Sequence, residues 1–476
     1  MKKIEIFLLL IVLALALILR LYKINRPIAD WHSWRQADTA AVARNFIKEG
    51  FNPFIPKYDD MSTQASGIEN PNRYRFVEFP IFNILIAFVW TITGINTTYA
   101  RLVTVFITLG STLLLYLLVK KLSGRLTGFF AAFFFAVIPY NVFYSSTILP
   151  APLMVFGLLA LYISFFKLME NEKSFMWIFT CVFFANLAIL TWPIALLFML
   201  PLIYLAYDHY GFQIFRKKQL WIILIFSLLP FIAWRIWMSR FPEGIPYLEY
   251  ILNYQNIRFK GAFFRWILAE RIGKLILTVA GFPIFILGLL KSNEKEKLFY
   301  FSLLASTLLY FSVFASGNVR HDYYQIAFIP VASIFLAKGL RLLLNLPASF
   351  NKWIGQALGF SLVVLMLAFG YYEIQGFYWI NKPQIVEAGK IADSLLPKDA
   401  SVIAPYGGDT AFLYQTNRRG YPKIEKPLKK YIESGTKYIV SVNPKEPEIE
   451  RLTNNCPSVY KSNDFVIIEL TLGCTN

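Results

Sequence analysis

Apolar runs long enough to cross a bilayer recur along most of this chain, and no other feature constrains its fold as much. A hydrocarbon core about 30 Å thick needs roughly 20 apolar residues in a helix. A backbone surrounded by lipid must also satisfy its own hydrogen bonds. Composition agrees: 16% of the residues are charged, against about 25% in soluble domains. The expected class is an all-α polytopic membrane protein.

About eleven spans are expected, near 4–22, 101–119, 126–143, 149–168, 175–190, 193–208, 219–239, 270–290, 298–316, 324–343 and 355–373. Charge between them sets the topology. With the N-terminus in the cytoplasm, the cytoplasmic loops are Lys120/Lys121/Arg125, 167–173, Arg216/Lys217/Lys218, 291–297 and 338–352, all basic or lysine-clustered. That is what the positive-inside rule asks. The alternate loops at 144–148 and 191–192 carry no charge, and 317–323 carries only Arg320, His321 and Asp322. The first run follows Lys2 and Lys3 as a signal peptide would, but no small-x-small cleavage site follows, so a retained span is expected. An odd number of spans puts the C-terminus outside. Counting the apolar segment 80–93 as a span would reverse every later loop, so a surface or re-entrant helix is expected there. The net charge of +18 belongs to these short loops, and no soluble segment carries a basic groove with interleaved aromatics. No nucleic-acid partner is expected. The membrane is expected to be the plasma membrane of a prokaryote, since no eukaryotic retention signal is present.

The transmembrane domain, 1–375, has two long outer regions. Residues 23–100 are polar and include an expected amphipathic helix over 38–49; residues 240–268 are rich in Tyr, Phe and Arg. From about 380 to 476 the composition changes to that of a small soluble extracytoplasmic α/β domain. Helices are expected at 385–396 and 428–434, strands at 402–404 and 438–442, and a closing hairpin from 458–460 and 465–470. Cys456 and Cys474 could pair if this tail is extracytoplasmic, while Cys181 lies in an apolar run. Gly407-Gly408-Asp409 reads as a turn, because the strand–helix setting and Lys-Ser/Thr of a phosphate loop are missing.

Three stretches carry chemistry. Asp30-Trp31-His32-Ser33-Trp34-Arg35-Gln36-Ala37-Asp38 sets two carboxylates, an imidazole and a guanidinium within nine residues of one another, just after the first span. Ionisable groups that dense beside a bilayer point to a site, although an interfacial anchor with Asp38 capping a helix explains them too. Glu78, in Val77-Glu78-Phe79-Pro80, could serve beside them or pair with Arg73 or Arg75. Arg320-His321-Asp322-Tyr323-Tyr324 offers a fork of donors, a charge and hydroxyls that together suit a phosphate. Arg240, Tyr247, Tyr250, Arg258 and Arg265 could extend such a surface.

Together these motifs resemble the GT-C membrane glycosyltransferases, in particular the bacterial branch related to protein O-mannosyltransferases and to aminoarabinose transferases of lipid A. The resemblance covers about residues 1–345 and rests on Asp38 with Ala43 and Arg44 downstream, Glu78-Phe79-Pro80, Arg101-Leu102 and the element at 320–324. It implies an inverting glycosyltransferase that moves a sugar from a polyprenyl-phosphate donor to an acceptor hydroxyl on a protein, lipid or glycan. Asp38 would be the general base and Glu78 the acid beside it. Arg320, His321, Tyr323 and Tyr324 would lie near the donor phosphate, with Asp30, His32 and Arg35 in support. Three positions depart from the family pattern: Thr39 stands where an acid often follows Asp38, Ala151 where many members carry an acid, and Trp192 where lipid A transferases carry a lysine. These bear on the substrate more than on the reaction type.

No required cofactor is expected, although Asp30, His32 and Asp38 could ligate a divalent ion. Two other classes remain open, a transporter or flippase for a lipid-linked saccharide and a non-catalytic envelope assembly protein. A transporter should bury ionisable groups deep in its spans, and Arg235 is the main charged residue expected near mid-span.

Overall fold

The computed structural model describes residues 3–291, 294–346 and 351–474. Residues 292–293 and 347–350, in two of the expected basic loops, lie outside the described residues. The first helices are α1 (Lys3–Leu21), α2 (Ser33–Lys48), α3 (Ile81–Thr93), α4 (Thr97–Ser123), α5 (Arg125–Val137), α6 (Pro139–Tyr144) and α7 (Ala151–Glu170). Next come α8 (Phe175–Thr191), α9 (Leu200–Tyr210), α10 (Lys218–Met238), α11 (Glu249–Leu252) and α12 (Gly261–Phe264). Wide π-helical turns over Arg265–Leu277 lead from α12 into α13 (Thr278–Leu290). Then follow α14 (Glu294–Val313), α15 (Ala315–Arg320), α16 (Ile329–Leu344) and α17 (Lys352–Ile374).

Eight helical runs among the described residues are long and apolar enough to cross a membrane: Lys3–Leu21, Thr97–Ser123, Ala151–Glu170, Pro193–Arg216, Lys218–Met238, Gly261–Leu290, Tyr324–Leu344 and Lys352–Tyr378. The chain is a polytopic helical membrane protein. The expected eleven included three segments that form shorter apolar helices, Arg125–Val137, Phe175–Thr191 and Leu298–Val313. The first stops because Pro139 forces Ile138 out of helical geometry and restarts the chain as α6. The segment expected on the surface is the apolar helix α3.

The chain divides into two compact units. One comprises Met1–Ile24, Arg101–Arg235 and Leu248–Gly376; the other comprises Asn25–Ala100, Ile236–Tyr247 and Phe377–Asn476. In the first unit α16 is buried along most of its length and packs on α13. Glycine makes the approach possible: a Cβ on Gly288 would lie 1.8 Å from the Phe335 carbonyl oxygen, and one on Gly339 1.8 Å from that of Ile284. Small residues at helix crossings are a hallmark of membrane bundles. In contrast, α10 leaves Leu224, Ile225, Phe226, Leu229 and Ile232 exposed, as a lipid-facing helix does.

The expected basic loops meet one another. Lys121 pairs with Glu170, and Lys217 and His209 approach Glu172 at 3.1 and 3.0 Å. Arg341 donates to the Ser123 carbonyl at 2.9 Å, and Lys120 pairs with Glu5 at the start of α1. These segments therefore share one end of the bundle. Lys338 corrects the expected loop 338–352, because it lies inside α16, buried and paired with Glu296. Arg235 is likewise not the main buried charge: Arg20 and Arg101 are fully buried, and Arg20 donates to Ser145 Oγ at 2.6 Å.

The second unit ends in α18 (Gln384–Leu395), β1 (Ser401–Ile403), α19 (Thr410–Gln415), β2 (Arg419–Tyr421), α20 (Leu428–Glu433), β3 (Tyr438–Ser441), α21 (Pro447–Asn455), β4 (Ser458–Lys461) and β5 (Val466–Glu469). The sheet order is β2-β1-β3-β5-β4. β1 runs parallel to β2 and β3, and β5 runs antiparallel to β3 and β4. Ile403, Ile439, Val466 and Ile468 fill its core together with Leu452 of α21. Cys456 and Cys474 form a disulfide, so the pairing left open by the sequence is made. Segment 59–61 runs beside β2: Gly420 N–H donates to the Asp59 carbonyl at 2.9 Å and Met61 N–H to the Gly420 carbonyl at 2.8 Å. Residues of the first long connection and of the C-terminal sheet thus build one body.

Candidate functional site

Helix α2 carries the first candidate cluster. The expected amphipathic helix over 38–49 is corrected at its start: α2 begins at Ser33, after His32 in a left-handed conformation (φ 54°). Asp38 therefore lies inside the helix and does not cap it. Alanines at 37, 40, 41 and 43 favour the helix. The helix is not amphipathic either, because nearly every residue from Ser33 to Phe46 is buried. Its polar side chains must then find partners inside the protein.

Asp38, 4% exposed, receives Arg75 Nη2 on Oδ2 at 2.7 Å and Thr410 Oγ1 on Oδ1 at 2.7 Å. Glu78 accepts from Arg35 Nη2 at 2.6 Å, so the alternative left open by the sequence, pairing with Arg73 or Arg75, is not the one made. Arg73 instead grips Glu49 at 2.8 and 2.6 Å. Arg35 and Asp38 are three residues apart on α2 and so share a face. Asp30 accepts from Arg26 at 2.5 Å and from Gln36 Nε2 at 2.8 Å. His32 lies edge-on to Trp31, and Trp31 stacks on Phe377. Arg44, part of the sequence motif, pairs with Asp59 and donates to the Tyr414 carbonyl at 3.0 Å. Its work is to hold α2 to α19.

Asp60 and Asp409, near Asp38, make no salt bridge among the described residues. Asp60, 2% exposed, accepts Ser62 N–H at 2.8 Å and the Tyr58 hydroxyl at 3.4 Å. Burial pushes its carboxyl up to about 7, and the nearby Asp38 charge adds to the rise. Asp409 takes Ser33 Oγ at 2.9 Å and caps α19 through Ala411 N–H at 2.7 Å, and burial raises it as well. Asp30, His32 and Asp38 do not gather as a ligand set: no group of three or more His, Cys, Asp or Glu among the described residues could hold a metal ion.

The second cluster lies in the other unit, around α15. Arg320 ends that helix and lays its guanidinium over the rings of Tyr250 and Tyr254, 3.8 and 4.8 Å from their centroids. Arg320 Nη1 is buried without a hydrogen-bond partner, and Arg320 has no carboxylate partner among the described residues. Arg258, with Nε equally unpartnered, donates to the Val313 carbonyl at 3.0 Å. Asp322 is buried, taking Tyr144 Oη at 2.6 Å with Arg271 Nη1 at 3.6 Å. His321, Tyr323 and Tyr324 form a ring triad with centroids 5.0–5.6 Å apart. Trp192, where a lysine is absent, meets Tyr324 edge-on at 5.2 Å.

The fold is that of known enzymes. The chain superposes on ArnT from Cupriavidus metallidurans bound to undecaprenyl phosphate with a TM-score of 0.65, 13% identity and 98% coverage of both chains. This chain has the GT-C membrane glycosyltransferase fold. The Archaeoglobus fulgidus oligosaccharyltransferase in its apo form also matches, with a TM-score of 0.57 and 15% identity over 93% of this chain and 70% of that one. AglB from the same organism, in complex with an inhibitory peptide and a dolichol-phosphate, gives 0.57 and 14% over the same shares. Residues 77–237 match the model of the dolichyl-phosphate-mannose-protein mannosyltransferase family. No curated protein matches the chain by sequence. The resemblance read from the motifs, to GT-C enzymes of the mannosyltransferase and aminoarabinose-transferase type, holds. The family match takes in Glu78 and Arg101 and leaves Asp38 and the 320–324 element to the geometry.

The structure places Asp30, His32, Arg35, Asp38 and Glu78 in one unit, and Arg320, His321, Tyr323 and Tyr324 in the other. Sequence reasoning missed Arg75 and Thr410 on Asp38, and Arg271 and Tyr144 on Asp322. Of these, Arg75 alone had a signal: it lies three residues before Glu78, and the sequence offers it as a possible partner of that acid.

Proposed function

We propose that the protein transfers a sugar from a polyprenyl-phosphate donor to an acceptor hydroxyl, with inversion at the anomeric carbon and without a required metal. The observation that carries this reading is the buried Asp38 carboxylate, held by Arg75 and Thr410 within the GT-C fold. Asp38 accepts the proton of the acceptor hydroxyl as that oxygen bonds to the anomeric carbon. The bond from that carbon to the phosphate oxygen breaks, and its electron pair leaves on polyprenyl phosphate. Arg320, with an N–H still unanswered, neutralises the departing charge together with His321, Tyr323 and Tyr324. Glu78 fixes Arg35 on the face of α2 that carries Asp38, and Asp30 fixes the entry to that helix. A donor phosphate and an acceptor peptide or hydroxyl compound suit these groups, because ArnT binds undecaprenyl phosphate and AglB binds both a peptide and a dolichol-phosphate. The site would work on the extracytoplasmic face, with the N-terminus in the cytoplasm.

The test is transfer from a panel of labelled polyprenyl-phosphate sugars in proteoliposomes. Release of label by wild type and not by Asp38→Asn is expected. Label release by both proteins alike, or by neither with lipid binding intact, would sink the reading and favour a flippase or an assembly protein.

A further inference from the structure

The turn Gly407-Gly408-Asp409-Thr410 belongs to the C-terminal sheet domain, yet its geometry is built toward α2. Gly407 and Gly408 both have positive φ (61° and 85°), which glycine alone adopts freely. Gln64 Nε2 donates to the Gly408 carbonyl at 2.8 Å, and a Cβ on Gly408 would meet Gln64 Oε1 at 2.2 Å. Asp409 then caps α19 and is fixed by Ser33 at the first residue of α2. The far end of α19 is clamped as well, because Arg44 donates to the Tyr414 carbonyl at 3.0 Å and covers its ring at 4.2 Å. Between these two anchors Thr410 delivers its hydroxyl to Asp38 Oδ1 at 2.7 Å. Thr410 is itself buried.

We infer that Thr410 is a positioning residue for Asp38, so that the C-terminal domain completes the acceptor side of the site. This rests on the proposed function. A carboxylate has about four lone-pair sites. With Thr410 on one oxygen and Arg75 on the other, Asp38 is locked in one rotamer and keeps a lone pair on each oxygen for the acceptor. The other ionisable groups facing Asp38 are Arg75, Asp60, Tyr58 and Asp409.

The experiment compares full-length wild type, Thr410→Val, Thr410→Ser and Asp38→Asn in proteoliposomes, measuring kcat and donor KM. Removing the hydroxyl should lower kcat about tenfold with little change in donor KM. Thr410→Ser, which keeps the hydroxyl, should return kcat toward wild type. If Thr410→Val does not fold, Thr410→Ala carries the same expectation. A folded Thr410→Val with wild-type kcat, or Ser and Val variants equally impaired, would reduce Thr410 to a structural contact and overturn the inference. The two failures are distinguishable: full turnover by Asp38→Asn overturns the functional reading, whereas a dead Asp38→Asn beside a Thr410→Val with wild-type kcat overturns this inference alone.

Discussion

The cluster around Asp38 and the cluster around Arg320 both keep charge inside the protein, but they answer it differently. Around Asp38 four buried carboxylates are matched by cations: Arg75, with Thr410, on Asp38, Arg35 on Glu78, Arg26 on Asp30 and Arg44 on Asp59. Around Arg320 the cation is held by ring faces, and an N–H is left over. Tyrosine faces fix a guanidinium in place without neutralising it. A matched charge makes a rigid, preorganised group; an unmatched one keeps its field for a ligand. Under the proposed function, the contrast fits a base that must stay put and a phosphate contact that must be vacated on every turnover.

The largest effect separates the clusters by chemistry. Asp38→Asn should lower turnover by roughly 10²–10⁴-fold, the usual worth of a general base, with expression intact. The second separates them by stability. Arg35→Leu strands the buried Glu78 and should cost about 3 kcal/mol in thermal or denaturant unfolding, whereas Arg320→Ala should cost about 1 kcal/mol, the loss of its ring contacts. Equal destabilisation by the two would erase the distinction. Arg320→Ala should instead raise donor KM about tenfold or more, as loss of a charge-assisted phosphate contact does. The smallest effect concerns Asp60. Its carboxyl is raised to about 7 in the folded protein, against about 3.9 in an unfolded chain. The folded state therefore binds the extra proton, so this contribution to stability is full below about pH 4 and is lost as pH rises through 7. Asp60→Asn should flatten the fall of melting temperature between those limits. An unchanged slope would show that Asp60 is ionised throughout.

The spans were legible because a bilayer demands continuous apolar length, and α1, α4 and α10 answer it directly. Where a helix is broken, as between α5 and α6 or α14 and α15, the apolar run continues and hides the break. The C-terminal elements with alternating or amphipathic sequence, α18, β1, α20, β3 and the β4–β5 hairpin, fall where the pattern places them. Three were missed. β2 is only Arg419-Gly420-Tyr421, too short to show a period; α19 is six residues behind a glycine turn; α21 is short and polar. In the candidate site, the acidic motif after the first span announced Asp38 and Glu78. Thr410 did not announce itself, because it meets Asp38 across 372 residues of sequence. Lys338 was misplaced for a related reason: a lysine near a helix end looks like a loop charge until Glu296 is seen beside it.

The most direct test of the division between the clusters is equilibrium binding of a polyprenyl phosphate, in nanodiscs, to wild type, Asp38→Asn and Arg320→Ala. Asp38→Asn should bind as wild type does while failing to turn over, and Arg320→Ala should bind at least about tenfold more weakly. Wild-type binding by Arg320→Ala, or loss of binding in Asp38→Asn, would contradict the assignment of phosphate to one cluster and proton transfer to the other.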